Sequence, residues 1–152
     1  MVVAFLVMGF YSFTTYRAAT EEAPLTYGNI PFPTDKEQYH HGEGVVLTVT
    51  RCSTANETIT YTFTRTIVDV ETGDNYILPS NENVNLPTGC ATVQSPPHII
   101  PDSLPAGRFE LEFVTKIKGR VREFEVHSHS REFNVVSRDG TRDSTRGGES
   151  NE

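Results

Sequence analysis

The sequence predicts an all-β chain, folded as a single antiparallel β-sandwich of about seven strands. Three observations carry this. Residues 58–70 alternate, with Ile59, Tyr61, Phe63 and Ile67 on one face and threonines on the other, as a half-buried strand requires. Residues 104–136 hold a second alternation, Phe109, Leu111 and Phe113 set between Arg108, Glu110 and Glu112. Turn-forming clusters, at 71–74 and at Pro96-Pro97, bound shorter apolar runs between them.

The second alternating stretch is the organising element. Lys118-Gly119 is a tight-turn signal. A two-residue loop there places Ile117 opposite Arg120, Phe113 opposite Phe124, Leu111 opposite Val126 and Phe109 opposite Ser128, with the apolar residues of both strands on one face. A one-residue slip would send Phe124 into water. The apolar parity then breaks, since Phe124 and Val126 are even-numbered but Phe133 and Val135 odd. A bulge or strand break at 129–131 would restore it.

At 152 residues the chain is one domain of ordinary size, and a hydrophobic content of 36% implies a thin core. The net charge of -7 speaks against nucleic acid as a partner. Cys52 and Cys90 are the two cysteines. Without a C-x-x-C pair they argue against structural zinc. A Cys52–Cys90 disulfide in an oxidising compartment is the favoured reading, and two unpaired thiols in a cytosolic protein the alternative.

In chain order, residues 1–17 form an apolar, helix-length segment. Val2, Val3, Phe5, Leu6, Val7, Phe10 and Phe13 are its candidate membrane-anchor side chains, with Tyr11, Tyr16 and Arg17 at the interface. It is short for the ~30 Å hydrocarbon core. A cleaved signal, without the usual basic start, and a buried core segment are the other readings. Residues 18–33, with three prolines, are expected to be a linker. The domain spans 34–136. Residues 80–89 are expected to be an Asn-rich loop after a short strand at Tyr76-Ile77-Leu78. The polar tail 137–152 is expected to be disordered. Asn56-Glu57-Thr58 is a glycosylation triplet.

Two stretches carry a resemblance. Tyr39, Gly42, Glu43, Val45 and Leu47 fit a Y-x-x-G-E-x-V-x-L lead-in to a core strand. Residues 100–111 fit I-P-x-x-L-P-x-G-x-(Tyr/Phe)-x-L. Together they resemble immunoglobulin-like and fibronectin-III-like extracytoplasmic domains. The resemblance implies an immunoglobulin-like sandwich in which Phe109 takes the place of the corner tyrosine, so that the corner rests on packing alone. It implies nothing about activity.

Candidate chemistry lies on the wet face of the hairpin. The two-residue register sets Glu110 opposite His127 and Arg108 opposite His129. His127, His129 and Glu110 form a possible divalent-metal set, against the simpler reading of a polar strand face. Arg65 interrupts the apolar face of its strand and is expected at the rim with its head in water. No nucleophile-elbow, P-loop or His-Glu-x-x-His pattern is present. The sequence therefore predicts a protein that is not an enzyme and takes no cofactor. The expected role is a membrane-tethered, extracytoplasmic binding or structural module acting through contacts with a protein partner. A structural subunit of a virion or envelope assembly and a secreted metal-binding domain are the alternatives. In these the chain is particle-associated or secreted.

Overall fold

The computed structural model describes residues 15–17 and 20–137. The anchor side chains Val2, Val3, Phe5, Leu6, Val7, Phe10 and Phe13, and the tail beyond 137, lie outside the described residues. Among the described residues no helix is long and apolar enough to cross a membrane.

The described chain is all-β. Its eleven strands are β1 (Leu25–Tyr27), β2 (Gln38–His40), β3 (Gly44–Val45), β4 (Thr48–Ser53), β5 (Ile59–Asp69), β6 (Asn75–Leu86), β7 (Gly89–Gln94), β8 (His98–Ile99), β9 (Gly107–Lys118), β10 (Glu123–His129) and β11 (Phe133–Val136). One sheet has the order β1-β4-β7. A larger one has the order β2-β11-β9-β5-β6, with β10 also on β9, and β3-β8 is a small ladder. Strand pairing is antiparallel except for the parallel pair β2–β11.

Core side chains come from more than one sheet. Leu25 of β1 clusters with Tyr61, Leu86 and Ile117 of the large sheet. A bigger cluster joins Tyr39, Ile67, Leu78, Phe109, Leu111 and Phe133 with Leu47, Ile100 and Leu104 from the connections. Phe109 is fully buried, its ring edge-on to Tyr76.

The alternation expected at 58–70 and 107–117 is present in β5 and β9, which pair over their whole common length. The hairpin register differs. Phe124 lies opposite Ile117 rather than Phe113, and Phe113 lies opposite Ser128, a slide of four residues. The loop runs over 119–122 instead of the two residues Lys118-Gly119. Its cause is remote in sequence. The Glu21 carboxylate accepts the backbone N–H groups of Arg120, Val121 and Arg122 at 2.5, 3.1 and 3.2 Å, and Arg122 donates to the Glu21 carbonyl at 2.7 Å. A side chain on Gly119 would meet Phe124 and Glu21 at under 3 Å. Burial pushes the Glu21 carboxyl up, but the three N–H groups and Arg122 outweigh it, and the net shift is down. A slide by an even number keeps every side chain on its face. Hydrophobic alternation therefore fixed the faces and left the register to the loop.

The parity break resolves as expected. β10 ends at His129 and β11 starts at Phe133. The pairing with β9 changes from Ser128 opposite Phe113 to Phe133 opposite Phe109, one extra residue on this side. Ser130 fills the interruption. Its Oγ accepts the Leu111 N–H at 2.9 Å and its own N–H donates to the Leu111 carbonyl at 2.8 Å.

Two expectations about irregular segments are corrected. The stretch 18–33 contains β1, paired with β4, and buries Leu25 and Phe32 in the core. The Asn-rich stretch lies largely within β6, which continues to Leu86 along β5. Two register shifts, between Tyr61 and Phe63 and between Phe63 and Arg65, absorb its extra residues, and Pro79 sits in one of them. Proline is tolerated there because a bulge on an edge strand asks for no ladder N–H. The strand count rises from about seven to eleven because the short strands β1, β2, β3 and β8 add to the longer ones.

Cys52 and Cys90 form a disulfide, directly opposite each other on neighbouring strands β4 and β7.

Candidate functional site

The predicted metal set does not assemble. Glu110 pairs with Val68 of β5, while His127 lies opposite Val114 and His129 opposite Glu112. The four-residue slide separates Glu110 from His127. His127 is largely exposed, and its Nε2 lies 2.9 Å from Glu125 Oε1 on its own strand. Among the described residues no three His, Cys, Asp or Glu side chains are grouped to hold a metal ion.

A different site lies where the β1-β4-β7 sheet faces β5, β6 and β9. Strand alternation sends Val49 and Arg51 of β4 toward Tyr61, Phe63 and Arg65 of β5 and Phe113 and Thr115 of β9. Between them is a half-open cavity of about 320 Å³, closed further by Tyr27, Phe32 and His98. Phe113 is the hub of its wall, with ring centroids 6.1 Å from Phe32, 6.3 Å from Phe63 and 5.4 Å from His98. Cys52 alternates with Arg51, so the disulfide ties β4 to β7 immediately beside the strand residue that enters the cavity.

Among the described residues the polar side chains of this cavity are two guanidiniums, an imidazole, the Gln94 amide and several hydroxyls, with no carboxylate among them. Arg65 is half-buried, as expected of a rim residue, and its head is in addition held by protein groups. Its Nε donates to the Pro79 carbonyl at 2.9 Å, its Nη2 reaches the same oxygen, and its Nη1 donates to His98 Nδ1 at 3.0 Å. The β6 bulge takes Pro79 out of the ladder and turns its carbonyl to the guanidinium. Because a guanidinium only donates, the His98 proton sits on Nε2. Burial, with Arg65 adding to it, pulls the His98 imidazole down to about 4, so it is neutral at pH 7. Arg51 Nη1 donates to the Tyr61 hydroxyl at 3.0 Å, and the Tyr27 and Thr115 hydroxyls are 3.1 Å apart.

Buried polar groups are normally paired, and an unpaired one costs about 1–3 kcal/mol. Among the described residues four buried side-chain atoms lack a partner, and three of them, Arg51 Nε, His98 Nε2 and Ser128 Oγ, belong to residues that line this cavity, each atom itself lying behind the cavity surface. His98 is only 3% exposed. Sequence reasoning missed Arg51 and His98. The available signal was a charged residue in an inward row, visible at Arg65 and, two residues before the buried Ser53, at Arg51.

No family model matches the chain, and no curated protein does. Solved structures are similar at low identity. The alkylpurine DNA glycosylase AlkC of Pseudomonas fluorescens, bound to DNA containing an abasic site analog, is 17% identical with a TM-score of 0.50, over 80% of this chain and 33% of that one. The sporulation control protein Spo0M of Bacillus subtilis is 15% identical with a TM-score of 0.44, over 75% of this chain and 50% of that one. A ceramidase complexed with C2 is 14% identical with a TM-score of 0.42, over 74% of this chain and 19% of that one. The chain thus spans a third, a half and a fifth of these proteins. The likeness to the glycosylase chain is one of fold alone. It nevertheless corrects the expectation that the chain is not an enzyme. The glycosylase is an enzyme, so the fold gives no ground for excluding catalysis.

Proposed function

We propose that this chain is a binding module of immunoglobulin-like sandwich type, held at a membrane by residues 1–17 on the extracytoplasmic side, with the cavity beside Phe113 as its binding element. The observation that carries the reading is the half-open, aromatic-walled cavity of about 320 Å³ between the sheets, with Arg51, Arg65 and His98 among its lining residues. The shared core of the β1-β4-β7 sheet and the large sheet supports the sandwich. The disulfide supports an oxidising compartment. It also departs from the immunoglobulin pattern, in which the bridge joins two sheets rather than neighbouring strands of one.

The test is a fragment screen read by methyl NMR on the full chain. Binders should shift Val49, Val84 and Val93 together, and shifts confined to the outer face of β9–β10 would remove the cavity from the proposal. Detergent-dependent extraction from membranes tests the tether, and copurification with particles favours the assembly-subunit reading.

A protein partner is supported by a separate observation. β6 edges the large sheet over twelve residues and presents Ile77 at 84% exposure. Loss of a captured partner on Ile77→Lys would localise such a contact, and unchanged capture would remove this edge as the contact.

A further inference from the structure

We infer that the cavity beside Phe113 takes a flat aromatic ligand of about two fused rings, held among five rings of the chain. This rests on the reading of that cavity as the binding element.

The ligand class follows from the wall. Tyr27, Phe32, Phe113, Phe63 and Tyr61 all line the cavity, and each ring pairs with the next. The successive centroid distances are 5.2, 6.1, 6.3 and 6.1 Å. Tyr61 belongs to the Leu25 cluster and Tyr27 packs against it, so the run of rings bends back on itself. The successive planes are inclined at 73°, 59°, 55° and 34°. A wall so tilted offers a guest both ring faces and ring edges, the two surfaces with which aromatic groups pair. The hydroxyls at its ends are already engaged. Tyr27 meets Thr115 at 3.1 Å and Tyr61 accepts from Arg51 at 3.0 Å. Val49, Val84 and Val93 add apolar surface. Protein interiors are close-packed and apolar walls hold water poorly, so an open volume here forfeits contacts that a guest restores. A dry cavity of about 150 Å³ holds one benzene. The volume here, about 320 Å³, is roughly twice that and sets the body at two rings.

Three alcohols with one shared handle isolate the rings. 2-Naphthalenemethanol carries two fused aromatic rings, its decahydro form has the same carbon skeleton without them, and benzyl alcohol carries one ring. The chain has no tryptophan, so naphthyl fluorescence can be followed directly on the folded full chain. 2-Naphthalenemethanol should bind at one site. Displacement should place the decahydro alcohol about threefold weaker or more, and benzyl alcohol about tenfold weaker or more. Val93→Phe, which sends a further ring into the cavity from β7, should weaken naphthyl binding at least tenfold. Equal binding of the naphthyl and decahydro alcohols overturns the aromatic class and leaves the cavity as a site. Benzyl alcohol binding as tightly as the naphthyl alcohol overturns the two-ring body. Unchanged naphthyl binding in a Val93→Phe chain that melts like the parent, or no binding by any of the three, overturns the cavity reading as well. Should Val93→Phe fail to fold, the parent chain decides. Ring-current shifts at the Val49, Val84 and Val93 methyls together uphold the site, and shifts confined to other methyls overturn it.

Discussion

The outer face of the β9–β10 hairpin and the cavity under its inner face are separated by one layer of backbone and have opposite chemistry. On the outer face His127, Glu125 and Lys116 are exposed and interact with one another, with His127 2.9 Å and Lys116 3.8 Å from Glu125. On the inner side Arg51, His98 and Ser128 hold polar atoms that nothing answers. The sequence makes the outer cluster conspicuous, because histidines and carboxylates alternate there. Water satisfies such groups at almost no cost, so their clustering says little. A polar group in an inward row costs free energy unless it is matched, and its presence is the stronger sign of a site.

The largest expected effect tests the inner side. Phe113→Ala removes the ring that touches Phe32, Phe63 and His98 and should cost about 3–5 kcal/mol in denaturant unfolding. Phe124, half-buried under the Arg122 guanidinium at 4.5 Å, should cost about 1–2 kcal/mol on the same change. Equal costs would mean that the hairpin pairs these two rings after all.

Next is the disulfide. Its cysteines are 38 residues apart, and replacing both by serine should cost roughly 3–4 kcal/mol in the chain-entropy account. Since Cys52 adjoins Arg51, the loss should also raise amide exchange along β4 more than along β10. Uniform exchange across the two strands would separate the bridge from the cavity wall.

His98 gives a pH signature of similar size. Its folded value of about 4 lies below the ordinary 6.5, so the unfolded chain binds the proton first as pH falls. The stability tied to neutral His98 is fully present above about pH 6.5 and is lost between there and pH 4, roughly 3 kcal/mol in all. His98→Gln should flatten this window. A parent chain with level stability from pH 6.5 to 4.5 would contradict the buried neutral imidazole.

The smallest effect belongs to the outer face. His127→Ala should change stability by no more than about 0.5 kcal/mol. A larger loss, or metal-dependent melting that this change abolishes, would reverse the contrast between the two faces.

What was legible in the sequence follows from what is local. Alternation gave β5, β9 and the face of each residue in β10, since period two survives any even slide. The extra residue near 129–131 was visible as a change of parity. The register of β9–β10 was not, because Glu21 sets the loop from a hundred residues away. β1 and the far half of β6 were missed because their prolines and asparagines signal turns, while pairing to β4 and β5 overrides that signal. Arg65 was noticed as an interruption, but its partners Pro79 and His98 come from β6 and β8. Only the fold brings the three together.

The Glu21 clamp has a mechanical consequence. Chain arriving from residues 1–20 is fastened twice, by a carboxylate on the tip of the β9–β10 hairpin and by the β1 ladder on β4. A body hung from one point swivels, whereas a body guyed at two points keeps its heading. If residues 1–17 are moored, the domain would stand at a set attitude to its support. Acid, by protonating Glu21, would slacken one guy before the other. Glu21→Gln should reproduce that slackening at neutral pH, read as faster amide exchange at Arg120, Val121 and Arg122 with β9 unchanged.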